Sequence, residues 1–307
     1  MIIAIDGGTT NTRLSLVSDG KVSGRIKLRV GARNGRDELS ASVKEGISEL
    51  LRQNSLSERD IRLVALSGMI GSESGLCNIP HITAPAGADE LSRAVVNKKL
   101  PEITSIPTFF IPGIKTFSDP EAEPLDSLDI MRGEETELVG LLSQPCMDGK
   151  LTVLLPGSHM KIVEVENRRI IAFRTSISGE LSRAAAENTI LKQSIGDAFP
   201  KLADAGYLRR GYEYAELHGI NEALFKVRVQ ANFIGRATGE QLYSFLLGAI
   251  LRDDVRSIGE SKGRVVIAGS EPFRSALGAL LGDVLLVPDE IADNAAAIGA
   301  ELITEKI

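Results

Sequence analysis

The stretch with the most chemistry in this chain is Asp6-Gly7-Gly8-Thr9-Thr10-Asn11-Thr12-Arg13. A carboxylate closes an apolar run, and two glycines and three hydroxyl or amide side chains follow it. Glycines let backbone N–H groups turn toward an anion with no Cβ in the way. Asp6 would repel a bare phosphate, so a cation is needed between them, most simply Mg²⁺ held partly through water. A tight hairpin in which Asp6 satisfies backbone donors is the other reading. No Gly-Lys-Ser/Thr follows and no GxGxxG enters a helix, so this is neither a Walker loop nor a dinucleotide fingerprint.

Leu155-Pro156-Gly157-Ser158-His159-Met160-Lys161 is a second candidate. Gly157 and Ser158 offer N–H and O–H donors to a phosphate, although the motif alone also fits an ordinary hairpin turn. Lys161 reads as a surface cation on that hairpin. His159, His81 and His218 have no partner at catalytic spacing, which leaves a serine triad or a metal centre without support. A third candidate is Asp129 to Glu137, where charge gathers as a loop meets a helix start. Acidic residues in a first turn complement the helix dipole. Alternatively, one carboxylate serves as a general base, with Arg132 holding a substrate anion.

Composition limits what these residues can serve. The chain has 307 residues, a length that suggests two domains at roughly 100–200 residues each. Hydrophobic residues at 43% and charged residues at 25% are ordinary for a folded protein. A net charge of −6 gives no basic face for nucleic acid, and 4% aromatics with no Trp gives no base-stacking platform. Cys77 and Cys146 stand apart with no CxxC, which fits a reducing cytosol. The N-terminus has no basic leader, and Phe245 to Leu251 is far shorter than the ~20 residues that span a bilayer. A cytoplasmic protein with no membrane or nucleic-acid partner is expected.

The elements that position these motifs follow from periodicity. Ile2–Ile5, Thr12–Val17 and Lys21–Val30 read as strands with turns between them. A helix is expected from about Asp37, with Leu39, Val43, Ile47, Leu50 and Leu51 on one face. Ile61–Leu66 is a buried strand closed by Ser67-Gly68. From Ser72 to Pro124 the chain carries seven of its 12 prolines and reads as loops with a short helix at Asp89–Asn97. A helix with Leu138, Leu141 and Leu142 starts near Gly133.

After Pro145 the order repeats. Leu151–Leu155, Met160–Val165 and Arg169–Ser176 are strands, and a helix from Gly179 has Leu181, Ala184, Ala185 and Leu191 among its apolar residues. Thr238-Gly239-Glu240-Gln241 has the spacing of a capping box. Beyond it come a strand at Arg264–Ala268, a helix marked by Phe273 and Leu277, and a buried strand at Asp283–Val287. The final helix, Ala292–Ile303, is rich in Ala and Gly, which permits a close helix contact. A hairpin with a Gly-Ser/Thr turn thus recurs about 150 residues on, which predicts two similar α/β halves with mixed sheets covered by helices.

Taken together, DGGTTNTR, RGEETE, PGSHMKIV and VVIAGS resemble the sugar-kinase and actin-like ATPase superfamily, and DGGTTNTR, SGMIGS, PAG, DIMRGEETEL, LPGSHMKIV and TSISGELSRAAAENTIL resemble its 2-dehydro-3-deoxygalactonokinases. The resemblance implies two actin-like (ribonuclease H-like) domains, residues 1–143 and 144–307, with a cleft between them. The last helix, 292–303, would pack back toward the first domain, and the domains would close around the nucleotide. It implies a kinase that uses ATP and Mg²⁺ to phosphorylate the 6-hydroxyl of 2-dehydro-3-deoxy-D-galactonate. Asp6 would orient the metal. Gly8, Thr9, Thr10 and Asn11 would cradle the β and γ phosphates, Gly157 and Ser158 would close on them, and Gly269 and Ser270 would border the adenosine. Glu134 would be the base, with Asp129 the alternative. Arg132 would take the sugar acid's carboxylate, and Ser72 with the Pro85-Ala86-Gly87 loop would line the pocket. A homodimer is compatible with this scheme. The same scaffold also serves kinases of other sugar acids or pantothenate, and nucleotide-dependent assembly proteins.

Overall fold

Ile2, Ile3, Ala4 and Ile5 are all buried, as a continuous apolar run must be in a strand covered on both faces. In the computed structural model, which describes residues 1–259 and 263–307, they form β1 (Ile2–Gly7). The chain divides into two units. The first holds Met1–Gly149, Val165–Ala172 and Glu290–Ile307, and the second holds Lys150–Glu164 and Phe173–Asp289.

In the first unit, β1 pairs antiparallel with β2 (Thr12–Ser18), and β3 (Lys21–Leu28) completes a meander. Helix α1 (Arg36–Gln53) buries the predicted stripe of Leu39, Val43, Ile47, Leu50 and Leu51. It leads to β4 (Val64–Gly68), parallel to β1. Then follow β5 (Ile82–Thr83), α2 (Ala88–Ala94), β6 (Val96–Asn97), β7 (Thr108–Phe110), β8 (Ile114–Lys115), β9 (Ile130–Met131) and α3 (Glu134–Leu142). The main sheet runs β3-β2-β1-β4-β7-β6, and β5-β8-β9 form a small second sheet. The expectation of loops between Ser72 and Pro124 is therefore corrected. β7 pairs with β4 at the heart of the unit, and Phe110 is fully buried. Strands of two or three residues between prolines are too short to show a period.

The second unit repeats the plan. β10 (Lys150–Leu155), β11 (Met160–Glu166) and β12 (Arg169–Ser176) form the hairpins, and α4 (Ser178–Asn188) follows. Next come α5 (Lys192–Ile195), α6 (Ala205–His218), α7 (Ile220–Val229), α8 (Gly239–Ile258), β13 (Arg264–Ile267), α9 (Phe273–Leu281) and β14 (Leu285–Leu286). The sheet order, β12-β11-β10-β13-β14, matches β3-β2-β1-β4-β7 strand for strand. The expected capping box forms: Thr238 Oγ1 accepts from the Gln241 N–H at 3.2 Å, and Gln241 Oε1 accepts from the Thr238 N–H at 3.1 Å. Helix α8 is buried on most sides within the core built by Leu246, Leu247, Ile250 and Leu251. Two expectations are corrected here. Leu285 and Leu286 lie on an edge strand and stay 36% and 43% exposed. Lys161 is buried rather than a surface cation, with its Nζ donating to Thr175 Oγ1 at 2.7 Å.

The last helix, α10 (Asp289–Thr304), lies almost wholly in the first unit, where it crosses α3. A Cβ on Gly140 would overlap the Ala295 carbonyl, and one on Gly299 would overlap the Thr136 carbonyl. The two backbones therefore touch at Thr136 and Gly140. Replacing Gly299 by Val is expected to cost about 3 kcal/mol of stability, because neither helix can retreat without opening the core. Urea unfolding of the variant checks this.

Candidate active site

Strands β1 and β4 stop side by side, with Asp6 opposite Ser67 and Gly7 opposite Gly68. Gly68 turns away at φ +80°, and a Cβ there would lie 3.2 Å from Asp6 Oδ1. Gly133, the N-cap of α3, has φ +113°, and a Cβ on it would stand 3.1 Å from Gly68 Cα and 3.9 Å from Asp6 Oδ1. Two strand ends and one helix start thus converge on Asp6. The β1–β2 register sets Arg13 opposite, and its Nη1 donates to Asp6 Oδ2 at 3.1 Å. Burial pushes the Asp6 carboxyl above its ordinary range, and Arg13 offsets part of that. The side chain still keeps 29% exposure, enough to meet a ligand.

The turn beyond Asp6 is rich in donors. Its carbonyls are occupied: Asn11 O accepts from the Gly8 N–H at 2.8 Å, Gly8 O from Ala32 at 3.1 Å, and Thr9 O from Arg33 at 3.1 Å. Among the described residues nothing accepts from the N–H groups of Thr9, Thr10 and Asn11. Gly31 lets the Ala32 segment press against the turn, since a Cβ there would run into Thr9 and Thr10. Amides left without a protein acceptor are what an anion would bind. Among the described residues no three His, Cys, Asp or Glu side chains gather as a metal cage. Asp6 beside this turn fits a cation held mainly by water and phosphate, the habit of Mg²⁺.

Helix α3 brings three glutamates to the same end. Glu134 Oε2 accepts from the Arg132 N–H at 3.1 Å. Both oxygens of the fully buried Glu135 accept from the Gly133 N–H, at 2.9 and 2.7 Å. Burial and then Glu134 push its carboxyl to about 7. Burial, Asp6 and Glu134 push Glu137 to about 8, with Arg13 opposing and Asp293 adding.

Glu135 has a consequence for stability. Between its unfolded value of 4.5 and its folded value of about 7, the folded chain binds more protons than the unfolded one. Stability therefore falls as pH rises through that window, and the cost is complete above it. Gln at position 135 keeps an acceptor and carries no charge. Glu135→Gln should gain up to about 3 kcal/mol over the natural chain above neutrality and little at acid pH. Urea midpoints across the window test that difference.

The remaining candidates have other partners. Asp129 Oδ1 accepts from the Ile130 N–H at 2.7 Å, at the start of β9. The Arg132 guanidinium donates to the carbonyls of Gly71 at 2.8 Å and Ile79 at 2.7 Å, and lies 3.1 Å from His81 Nδ1. It ties the 71–81 loop to the segment before α3. Ser72 Oγ donates to Met69 O at 2.6 Å and lies 3.1 Å from Ser74 Oγ. The Gly87 N–H is taken up by Glu90 Oε2 at 2.9 Å, so Gly87 serves as the cap of α2. Beside it, Ala86 bridges to Ile170.

In the second unit the corresponding turn holds Gly157 and Ser158, both exposed. It rests on the start of α4, where Gly179 leaves room for the Gly157 carbonyl and the Glu180 N–H donates to Ser158 O at 2.9 Å. Gly269, two residues beyond β13 and at φ +134°, packs against Pro156, much as Gly68 packs against Gly7 at the end of β4. Ser270 follows, exposed.

Sequence reading passed over Arg13 and Glu137. The signal for Arg13 was the hairpin register, which pairs it with Asp6 across the turn. For Glu137 it was the spacing from Glu134, three residues along one helix face.

Over residues 6–302 the chain matches the model of a family described as 2-keto-3-deoxy-galactonokinase. It is 26% identical over 308 aligned residues to the 2-dehydro-3-deoxygalactonokinase of Escherichia coli (strain K12), across 95% of this chain and 94% of that protein. A solved structure from Sinorhizobium meliloti, assigned to the 2-dehydro-3-deoxygalactonokinases, has a TM-score of 0.80 at 24% identity, covering 100% of this chain and 97% of its own. The activator of the 2-hydroxyisocaproyl-CoA dehydratase from Clostridium difficile, solved with bound ADPNP, gives 0.54 at 12% identity, covering 99% and 94%. These structural likenesses establish the fold, α/β with two actin-like (ribonuclease H-like) units.

Proposed function

The chain belongs to the 2-keto-3-deoxy-galactonokinase family, and from that membership we propose that it moves the γ-phosphoryl group of ATP to the 6-hydroxyl of 2-dehydro-3-deoxy-D-galactonate. The product is 2-dehydro-3-deoxy-6-phosphogalactonate. The observation that carries the reading is the Asp6 end: a carboxylate, a guanidinium and three unclaimed amides within one hairpin.

Phosphoryl transfer asks a protein for position and charge more than for covalent chemistry. The amides of Thr9, Thr10 and Asn11, reached past Gly8, bind the β and γ phosphate oxygens. Asp6 is the residue that would hold the metal. Mg²⁺, when bound, draws charge from the phosphate oxygens. Arg13, 59% exposed and anchored at one nitrogen by Asp6, adds positive charge beside the transferring group. Gly157 and Ser158 supply further phosphate donors, and Gly269 with Ser270 borders the adenosine. Glu134 accepts the 6-hydroxyl proton as the oxygen–phosphorus bond forms and the bond to the ADP oxygen breaks. Its charge raises both Glu135 and Glu137, and Asp6 raises Glu137 as well, which supports its standing at the reacting end. Asp129 acts on neither of those carboxyls, so it ranks behind Glu134. Arg132 acts on the substrate by holding the loop that carries Ser72 and leads to the Pro85–Gly87 segment.

The test is acceptor-dependent ADP release with 2-dehydro-3-deoxy-D-galactonate, its gluconate epimer and pantothenate. The galactonate derivative is expected to lead in kcat/KM by about tenfold or more, with slow ATP hydrolysis when no acceptor is present. Equal rates with all three acceptors would count against this substrate.

A further inference from the structure

Glu135, the second residue of α3, is fully buried. An acid there costs free energy that an apolar side chain would not. Its partners are all local. Both oxygens accept from the Gly133 N–H, at 2.9 and 2.7 Å, and Oε1 also accepts from the Thr136 hydroxyl at 3.1 Å. Among the described residues no backbone carbonyl takes the Gly133 N–H, so Glu135 is its acceptor.

What the acid holds gives it a purpose. Gly133 stands at φ +113°, where a Cβ would lie 3.1 Å from Gly68 Cα. One residue earlier, the Arg132 N–H donates to Glu134 Oε2 at 3.1 Å. Two successive amides are thus divided between two successive glutamates. Without Glu135 the Gly133 N–H would lack its acceptor, and the carboxylate next to it in sequence is that of Glu134. A second amide on Glu134 would leave less of it for a hydroxyl proton and weaken it as a base, since each such bond favours the ionised form. We propose that Glu135 is a positioning residue for phosphoryl transfer: by claiming the Gly133 N–H it fixes the turn before α3 and leaves one Glu134 oxygen for the substrate. This rests on the reading above that Glu134 accepts the 6-hydroxyl proton.

Glu135→Met keeps the length of the side chain and removes the acceptor. It is expected to lower kcat about ten- to hundredfold, with the KM for ATP within about twofold. Glu135→Gln, which still accepts from the Gly133 N–H, is expected to keep kcat within about twofold of the natural chain. In a Glu134→Gln background the Met change should cost less than about twofold further, because it acts through Glu134. Glu135→Ala decides the matter if Glu135→Met does not fold. A Gln variant as impaired as Met, a raised KM for ATP with kcat unchanged, or a full second loss in the double variant overturns the proposal. Glu134→Gln alone separates the two levels. If it collapses turnover while Glu135→Met turns over normally, the base stands and the role of Glu135 falls. If it turns over normally, both fall.

Discussion

Asp6→Asn should reduce kcat on the order of a thousandfold. Asn matches Asp in shape, so the β1–β2 hairpin and its register survive. What is lost is the charge that would hold a cation against the phosphates and that anchors Arg13 at 3.1 Å. Arg13, freed of its partner, would be drawn to the phosphates directly, so the KM for ATP should move little or even fall. Raising Mg²⁺ should not restore turnover, because the missing element is a fixed carboxylate rather than metal concentration. Steady-state kinetics over a Mg²⁺ series measures both parameters. A variant that keeps more than about a tenth of its turnover would place the metal elsewhere.

Glu134→Gln should lose roughly a hundredfold to ten-thousandfold in kcat, the span that proton transfer contributes. Glu134 sits at the first position of α3, behind Gly133, whose approach to Gly68 and Asp6 fixes where the helix begins. The Arg132 N–H holds one of its oxygens at 3.1 Å and leaves the other for a hydroxyl proton. Asp129→Asn should stay within about twofold, since an amide oxygen still accepts from the Ile130 N–H. Glu137 provides the contrast. It lies one turn further along and is pushed to about 8, a value that leaves it protonated near neutrality. Normal turnover in Glu134→Gln with collapse in Glu137→Gln would move the base by that turn.

Much of this candidate site was legible in the sequence. Asp6 at the end of an apolar run, then Gly-Gly and three polar residues, has few uses, and the strands on either side are long enough to show their pattern. The capping box at Thr238 and the stripe on α1 were legible for the same reason, because each is a local repeat. Contacts between distant segments left no such trace. Arg132 looked like an anion donor beside Glu134, yet its guanidinium is committed to the carbonyls of Gly71 and Ile79, more than fifty residues earlier. Gly87, expected in the pocket, also caps a helix. The segment from 192 to 237, left unread in the sequence, holds α5 to α7, whose apolar faces become sensible only against α8. Nor could periodicity find β7, three residues long and buried only because β4 lies beside it.

The most direct test of the central claim is the position of the phosphate in the product. Phosphorus and carbon NMR of the mixture formed from ATP, Mg²⁺ and 2-dehydro-3-deoxy-D-galactonate should show one new monoester coupled to C6, formed mole for mole with ADP. ADP accumulating beside free phosphate, with the sugar acid unchanged, would contradict it.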